Sequence, residues 1–442
     1  MFILEFFIKE TAFLYSRIDK EIYLDVSDKP LRALMNLQPG EVLKLNKAIY
    51  GLVQSPYLWS KKFRSSLERL GFKTLNEDPC CFVKNVGSKK IILLLYVDDI
   101  ICASTDENMF LNLLDELKKE YRLTHSPLQF VLGAKITQNL EKGTITLSQE
   151  AYIDRILDKF SEHLAGIDFQ DVPVKGNVKF KDGDIRKGFV DILDCPSDTR
   201  EKGHMANLPY RSLIGSLLFL SIYTRPDIVH PVSQLAQVMS NPSRFHWHLL
   251  LCLTKYVHRT KGISLTYTKN PRVPVSKILT AFVDANYAQH KHRRSVAGWS
   301  LMMSGGSVRT ASKLIKTVAA STMAAEVHAL YHCSNDVKWA RSLLKSLGFP
   351  QDTTVVYEDN KSVIQFSKNH GMTERNKTIE TKYFSVRQDR HKGAILPIHI
   401  STKFQIADMH TKYLPKPQFV TLRNKLLGQK PYAVLALYTI PE

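Results

Sequence analysis

The chain is predicted to be a mixed α/β (α+β) protein, on three observations. Residues 1 to about 160 alternate short apolar runs with stretches of helical periodicity, and residues 210 to 258 carry apolar side chains spaced for buried helix faces. From about Ser276 strand-length runs are followed by alternating helices and strands.

In the first region, KKFRSSLERLGF repeats Phe63, Leu67, Leu70 and Phe72 at helical spacing, and the apolar runs Ile91 to Tyr96 and Ile100 to Ala103 read as paired strands. From Ser161 to Met205 the text turns polar and irregular, rich in Gly, Pro and Asp, so a loop or linker is expected. Leu213, Leu217 and Leu220, then Val232, Leu235 and Val238, mark helices over Tyr210 to His258.

After Ser276, KILTAFVDANYA, GWSLMM and GSVRTAS predict three strands. Ser321 to Gly348 predicts a long helix, with Ser321 or Thr322 as N-cap and Gly348 as terminator. TTVVYED, NKSVIQFSK, AILPIHI and FQIADMHTKYL then predict strand, helix, strand and a last short helix. The expected domains are 1–160, 161–275 and 276–429, with a tail over 430–442. A segment from Ser276 to Gln429 is expected to fold alone.

Composition sets limits on function. The chain has 442 residues, of which 44% are hydrophobic, enough for two or three cored domains and against disorder as the default. Net charge is +19, from 61 basic and 42 acidic residues dispersed along the chain. That distribution suits a long polyanion better than a single basic tail would. The six cysteines form no C-x-x-C pair and no zinc-finger spacing, which argues against a disulfide framework or structural zinc and suits an intracellular setting. No apolar stretch reaches the roughly 18 residues of a membrane span, and Met1 to Phe13 is interrupted by Glu5, Lys9 and Glu10.

Asp98 and Asp99 fall between two of the predicted strands, at the tip of a hairpin. Acidic residues are common at turns for turn chemistry alone. Adjacent carboxylates on a rigid sheet edge can also hold Mg²⁺ ions for phosphoryl transfer.

The segment YVDDI, Tyr96 to Ile100, resembles the active-site hairpin of reverse transcriptases. The blocks LNKAIYGLVQSPYLWSKKF (Leu45 to Phe63), FVLGAKI (Phe130 to Ile136), ITLSQEAYIDRIL (Ile145 to Leu157) and Leu208 to Trp247 follow the order found in the Pol polyproteins of copia-type LTR retrotransposons. That resemblance implies a truncated reverse transcriptase palm and thumb, then a mostly helical connection region. The strand and helix order after Ser276 is the one expected of the ribonuclease H fold, with a mixed five-stranded sheet.

Within that last region AFVDANYA, ST-x-x-AE-x-x-AL, YEDNKSVI and IADMHTK-x-LP-x-P-x-F resemble the copia-type ribonuclease H domain from Ala281 to roughly Gly428. Asp284, Glu326, Asp359 and Asp408 match the family's metal-binding acids, and the fold would bring them together. Such a cluster repels itself unless cations fill it. Two Mg²⁺ (or Mn²⁺) ions would then serve phosphodiester hydrolysis, one activating water and one stabilising the leaving 3′ oxygen.

The sequence departs from the family at three places. Ala324 stands where the family has another Glu, which leaves Glu326 as the expected ligand. KTIET, Lys377 to Thr381, replaces a Lys-His-Ile-Asp run. Aligning TAFL with the family's D-V-K-T-A-F-L block puts Ile8 where a polymerase needs a further Asp, and Glu5 and Glu10 are out of register for one strand face. The fingers segment that precedes this block in the family is expected to be missing. Asp98 and Asp99 are therefore expected to keep their hairpin and lack a metal-binding partner.

Three readings stand on these residues. The first is a ribonuclease H acting on RNA–DNA hybrids beside a defective RNA-directed DNA polymerase. The second is a non-catalytic nucleic-acid-binding relic, and the third a complete reverse transcriptase whose missing Asp comes from elsewhere. Resemblance further implies other Pol or Gag chains as partners, no membrane, and cytoplasmic particles or the nucleus as location. Arg293, Arg294 and Lys313 are candidate hybrid contacts.

Overall fold

The computed structural model describes residues 3–9, 11–174, 177–179, 185–187, 190, 192–288, 293–368 and 384–429, and it divides into two compact units, Met1–Gln129 and Phe130–Glu442. Glu10, the KTIET run and the tail from 430 lie outside the described residues.

The first unit is built on a six-stranded antiparallel sheet. Its strands are β1 (Ile3–Lys9), β2 (Lys73–Thr74), β3 (Cys81–Val86), β4 (Lys89–Tyr96), β5 (Asp99–Ser104) and β6 (Leu123–Pro127), arranged β2-β3-β4-β5-β1-β6. Period-two alternation buries Ile91, Leu93 and Leu95 of β4. They meet Trp59, Phe63 and Leu67 of helix α1 (Ser55–Arg69) and Phe110, Leu114 and Leu117 of α2 (Glu107–Glu120) in one core.

The β4–β5 hairpin closes on the Tyr96–Asp99 pair, so its two-residue turn is Val97-Asp98 and not Asp98-Asp99. Val97 takes φ 53°, a left-handed conformation that a β-branched side chain resists. Strain of this kind persists only where the surroundings hold it. Here the indole N–H of Trp59 donates to the Val97 carbonyl at 2.7 Å.

The second unit contains two larger sheets, besides an antiparallel pair of Asn177–Lys179 with Ile185–Lys187. β7 (Phe130–Val131), β8 (Ala134–Asn139), β9 (Thr144–Ser148) and β10 (Leu265–Thr268) form an antiparallel sheet ordered β10-β9-β8-β7. Because β9 pairs with β10, residues 130 to 160 lie in the second unit, whereas the sequence reading grouped them with the first region.

The other sheet is mixed and five-stranded: β11 (Leu279–Asn286), β12 (Val296–Met303), β13 (Gly306–Leu314), β14 (Thr354–Glu358) and β15 (Ile395–His399), ordered β13-β12-β11-β14-β15. The first three are antiparallel, and β14 runs parallel to both β11 and β15. This is the sheet expected from the sequence.

Its strands take part in two cores. Ala281 and Val283 of β11 and Trp299 and Leu301 of β12 pack with Ala329, Leu330 and Val337 of the long helix, here Thr322–Ser346. Phe282, Met302, Val355 and Tyr357 pack instead with Leu217, Leu220, Leu235, Leu250 and Leu253 of the helices spanning Tyr210–Arg259, and with Leu422 and Leu426 near the C-terminal end. The stretch from Ser276 therefore does not own its whole core, which counts against its folding alone.

Besides short helices at Ser161–Leu164 and Thr199–Ala206, at the two ends of the stretch expected to be a loop or linker, the unit carries α3 (Glu150–Lys159), α4 (Tyr210–Tyr223), α5 (Val229–Gln237), α6 (Arg244–Arg259), α7 (Thr322–Ser346), α8 (Lys361–Lys368), α9 (Phe384–His391) and α10 (Lys416–Leu426). Two others also differ from expectation. α9 was not anticipated, and FQIADMHTKYL forms 3₁₀ turns at Thr402–Phe404 and Ile406–His410, with the last α-helix following it. Pro417 sits in the first turn of that helix, where its missing N–H costs no hydrogen bond.

Candidate active site

Three segments far apart in sequence bring three carboxylates together. The parallel pairing of Phe282 with Tyr357, carried two residues further, sets Asp284 level with Asp359, just past the end of β14. Glu326 comes from the first turns of α7, whose start is fixed by the Ser321 hydroxyl accepting the Ala324 N–H. Asp284, Glu326 and Asp359 each offer an oxygen, and these atoms all lie within 4.8 Å of one another. Asp284 and Glu326 are buried and Asp359 is half-buried.

Asp408 is not in that trio. It sits buried in the Ile406–His410 turn, where its Oδ1 lies 2.8 Å from Lys412 Nζ. The same ammonium is 3.7 Å from Asp284 Oδ2, an oxygen that also accepts from the Thr411 hydroxyl. Thr402 donates to Asp359 Oδ2 at 2.9 Å. The Gln405 amide ties this segment to β11 and β14, donating to the carbonyls of Val283 at 2.9 Å and Tyr357 at 3.3 Å.

Gly298 makes room for the segment. It pairs with Asp284 across β11–β12, and a Cβ placed there would lie 2.7 Å from Thr411 Cγ2 and 2.8 Å from His410 Cβ. His410 anchors alongside, its Nε2 2.8 Å from Ser300 Oγ.

The electrostatics follow from burying like charges. Burial raises the Glu326 carboxyl far above the ordinary range, and Glu358, Asp284 and Asp359 raise it further. Burial also lifts Asp284, against the pull of Lys412 and Thr411, and Glu358, against the Asn360 N–H. Asp408 is pushed up to about 7 by burial and then by Asp284. A set of oxygen donors held close and short of positive charge suits a hard divalent cation. The residues present fit one.

Sequence reasoning did not find Glu358, Gln405, Thr411 or Lys412. The available signal was the i,i+4 spacing of Asp408 and Lys412 inside IADMHTK.

In the first unit, no such group includes Asp98 or Asp99 among the described residues. Asp98 Oδ2 accepts from the Tyr50 hydroxyl, while Asp98 Oδ1 is buried with no hydrogen-bond partner among the described residues. Burial and then Asp98 raise the Asp99 carboxyl; burial and then Asp98 lift the Tyr50 phenol to about 12. The Cα partner of Asp99 on β1 is Ile8, a residue with no ligand atom, and Glu5 pairs further along with Cys102. Tyr50 and Trp59 both belong to the YGL-Q-P-W block, so one physical role of that block is to hold the hairpin.

Of the candidate hybrid contacts, Arg293 and Arg294 are exposed, and the Lys313 ammonium lies 5.3 Å from the Trp299 ring centroid. None of the six cysteines is in a disulfide. No helix among the described residues is long and apolar enough to cross a membrane.

Residues 4–175 match the family described as reverse transcriptase (RNA-dependent DNA polymerase). The chain is 33% identical over 422 residues to the retrovirus-related Pol polyprotein from transposon TNT 1-94 of Nicotiana tabacum, covering 95% of this chain and 30% of that protein. The chain is similar to copia-type retrotransposon Pol polyproteins over most of its length.

A second Pol relative, from transposon RE1 of Arabidopsis thaliana, is 28% identical over 94% of this chain and 27% of its own length. The putative transposon Ty5-1 protein of Saccharomyces cerevisiae is 26% identical over 70% of this chain and 92% of its own. The chain thus spans about 30% of the length of the first curated relative it matches.

Among solved structures, LC11-RNase H1 matches 31% of this chain and 93% of its own at 14% identity, with a TM-score of 0.26. Prototype foamy virus protease-reverse transcriptase matches 90% of this chain and 43% of its own at 11% identity, with a TM-score of 0.22.

Proposed function

We propose that this copia-type chain is a ribonuclease that cuts the RNA strand of RNA–DNA hybrids at the Asp284–Glu326–Asp359 centre, and that its polymerase hairpin is defective. The observation that carries the reading is the convergence of three carboxylate oxygens within 4.8 Å at the meeting of β11, α7 and the end of β14. Asp408 completes the acidic set from the adjoining 3₁₀ turn.

Asp284, Glu326 and Asp359 would hold Mg²⁺ or Mn²⁺, with Asp408 as a further ligand. A divalent cation bound there supplies Lewis-acid activation of water and neutralises charge on the leaving 3′ oxygen. The chain's own groups prepare the site. Thr411 and Thr402 fix one oxygen each of Asp284 and Asp359, leaving the others free to face a ligand. Gln405 and the close approach at Gly298 hold the segment carrying Asp408 against the strands that carry the other acids.

Hybrid substrate is supported by the net charge of +19 and by the family resemblance, with RNA told from DNA through its 2′-hydroxyls. The polymerase defect is supported by Ile8 opposite Asp99, since a hairpin pair without a third acid does not clamp two metals. Other Pol or Gag chains as partners, and cytoplasmic particles or the nucleus as location, belong to the same reading.

The test is cleavage of a hybrid labelled on its RNA strand by the full chain with Mg²⁺ or Mn²⁺. The expected result is cleavage that chelation stops and that Glu326→Gln reduces by at least about two orders of magnitude, with hybrid binding nearly unchanged. A folded chain that binds hybrid but cuts with neither metal would transfer the assignment to the non-catalytic relic.

A further inference from the structure

The position of Lys412 has a bearing on how many cations the centre takes. Its ammonium lies 2.8 Å from Asp408 Oδ1 and 3.7 Å from Asp284 Oδ2, between the two acids that border one side of the cluster. On the other side Asp284, Glu326 and Asp359 converge, and among the described residues the one ion pair to any of the three is that of Lys412 with Asp284. The two sides share Asp284.

We propose that Lys412 is a built-in cation occupying the interval between Asp284 and Asp408, so that the substrate-free protein binds one divalent ion, at Asp284, Glu326 and Asp359, and not two. The inference rests on the nuclease reading and adds a control to it.

The physical argument is charge balance. Both Asp408 and Asp284 are buried, and buried carboxylates at this separation need a nearby positive charge. Lys412 supplies it from a side chain about one-third exposed, 32%, on a flexible stem anchored one residue after Thr411. A divalent ion entering the same interval would have to displace the ammonium or sit against it, and like charges at that range repel strongly outside bulk water. Among the described residues no ammonium or guanidinium pairs with Glu326 or Asp359 on the other side. The exposed stem also gives Lys412 a way out, toward a phosphate of bound hybrid, which would open the Asp408 side only when substrate is present.

Lys412 is thus assigned as a positioning residue for metal occupancy. Its test reads cation stoichiometry by Mn²⁺ binding to the full chain without substrate, counting only sites that disappear when Asp284→Asn is added. The parent is expected to bind one Mn²⁺ at such sites, Lys412→Arg one, and Lys412→Met two. Asp408→Asn combined with Lys412→Met is expected to return the count to one, because the gained ion needs Asp408. Mn²⁺ should also raise the melting temperature of Lys412→Met more than that of the parent, since the variant lacks its internal counter-charge.

A parent that already binds two such ions, or a folded Lys412→Met that binds one, overturns the proposal and leaves the nuclease reading standing. A parent that binds none removes the metal centre itself, and the proposal with it.

Discussion

The two carboxylate sites of this chain differ in how they are assembled. Asp98 and Asp99 are neighbours in sequence on one hairpin, and the strand beside them contributes Ile8. Asp284, Glu326 and Asp359 come from a strand, a helix and the loop after another strand, with Asp408 on a fourth segment. The first site is the easier to see in a sequence and the less complete in space. A motif shows that a piece of a site is present; convergence of separate segments shows whether the piece has partners.

The comparison breaks most visibly if the second site is cut from its surroundings. Phe282, Met302, Val355 and Tyr357 share a core with the helices of Tyr210–Arg259, so a fragment from Ser276 to Gln429 would expose that apolar surface. It is expected to aggregate or to lack a cooperative melting transition, while residues 130 to 429 retain one. A monomeric, cooperatively melting short fragment would show that the second core is dispensable.

The hairpin site should be sensitive to its aromatic supports. Trp59→Ala removes a fully buried ring and the donor that holds the strained Val97 carbonyl, and is expected to cost about 3 to 5 kcal/mol in the first unit. Hybrid cleavage should survive it. Denaturant unfolding followed by a first-unit probe checks the size of the loss; a change below about 1 kcal/mol would mean the ring is not supporting the turn.

Gly298→Ala sharpens the comparison from the other side. The added methyl meets Thr411 Cγ2, His410 Cβ and the His410 backbone, so the segment bearing Asp408 must shift. Overpacking of this kind costs about 1 to 3 kcal/mol. Cleavage is expected to fall by more than the stability loss alone explains, and unchanged cleavage in a folded variant would show that the position of this segment does not matter.

The smallest expected effect is on pH. Asp284, Glu326, Glu358 and Asp408 all hold protons more tightly in the folded chain than an ordinary carboxyl does. The folded state therefore binds more protons than the unfolded one above the ordinary carboxylate value of about 4, and stability falls as pH rises from there. For Asp408 the loss is complete once pH passes about 7. Melting temperature of the metal-free chain should decline between those values, and a divalent cation should flatten the decline. A metal-free profile that rises with pH over that window would contradict the burial of these acids.

Much of the second site was legible. Short strands separated by clear turn residues gave the order β11, β12, β13, α7, β14, α8, β15, and the parallel pairing of β11 with β14 follows from that order. What was not legible depended on distant contacts. β9 pairs with β10 across the whole helical region, which local periodicity does not register. α9 lies in a polar stretch, and α10 begins beside Pro417, which reads as loop. The place of Lys412 depends on the turn at Ile406–His410, which brings it between two acids. The hairpin was placed correctly, but its turn is one residue earlier than expected, with Val97 in a left-handed conformation whose carbonyl accepts from the Trp59 indole.

The most direct test of the contrast is a matched pair of single substitutions in the full chain, Asp284→Asn and Asp98→Asn, assayed for hybrid cleavage with Mg²⁺. Each removes one carboxylate charge with little change of shape. The account predicts that Asp284→Asn loses cleavage by orders of magnitude while Asp98→Asn cuts like the parent, and that neither protein nor the parent extends a primer. Cleavage retained in Asp284→Asn, or primer extension by the parent that Asp98→Asn abolishes, would contradict it.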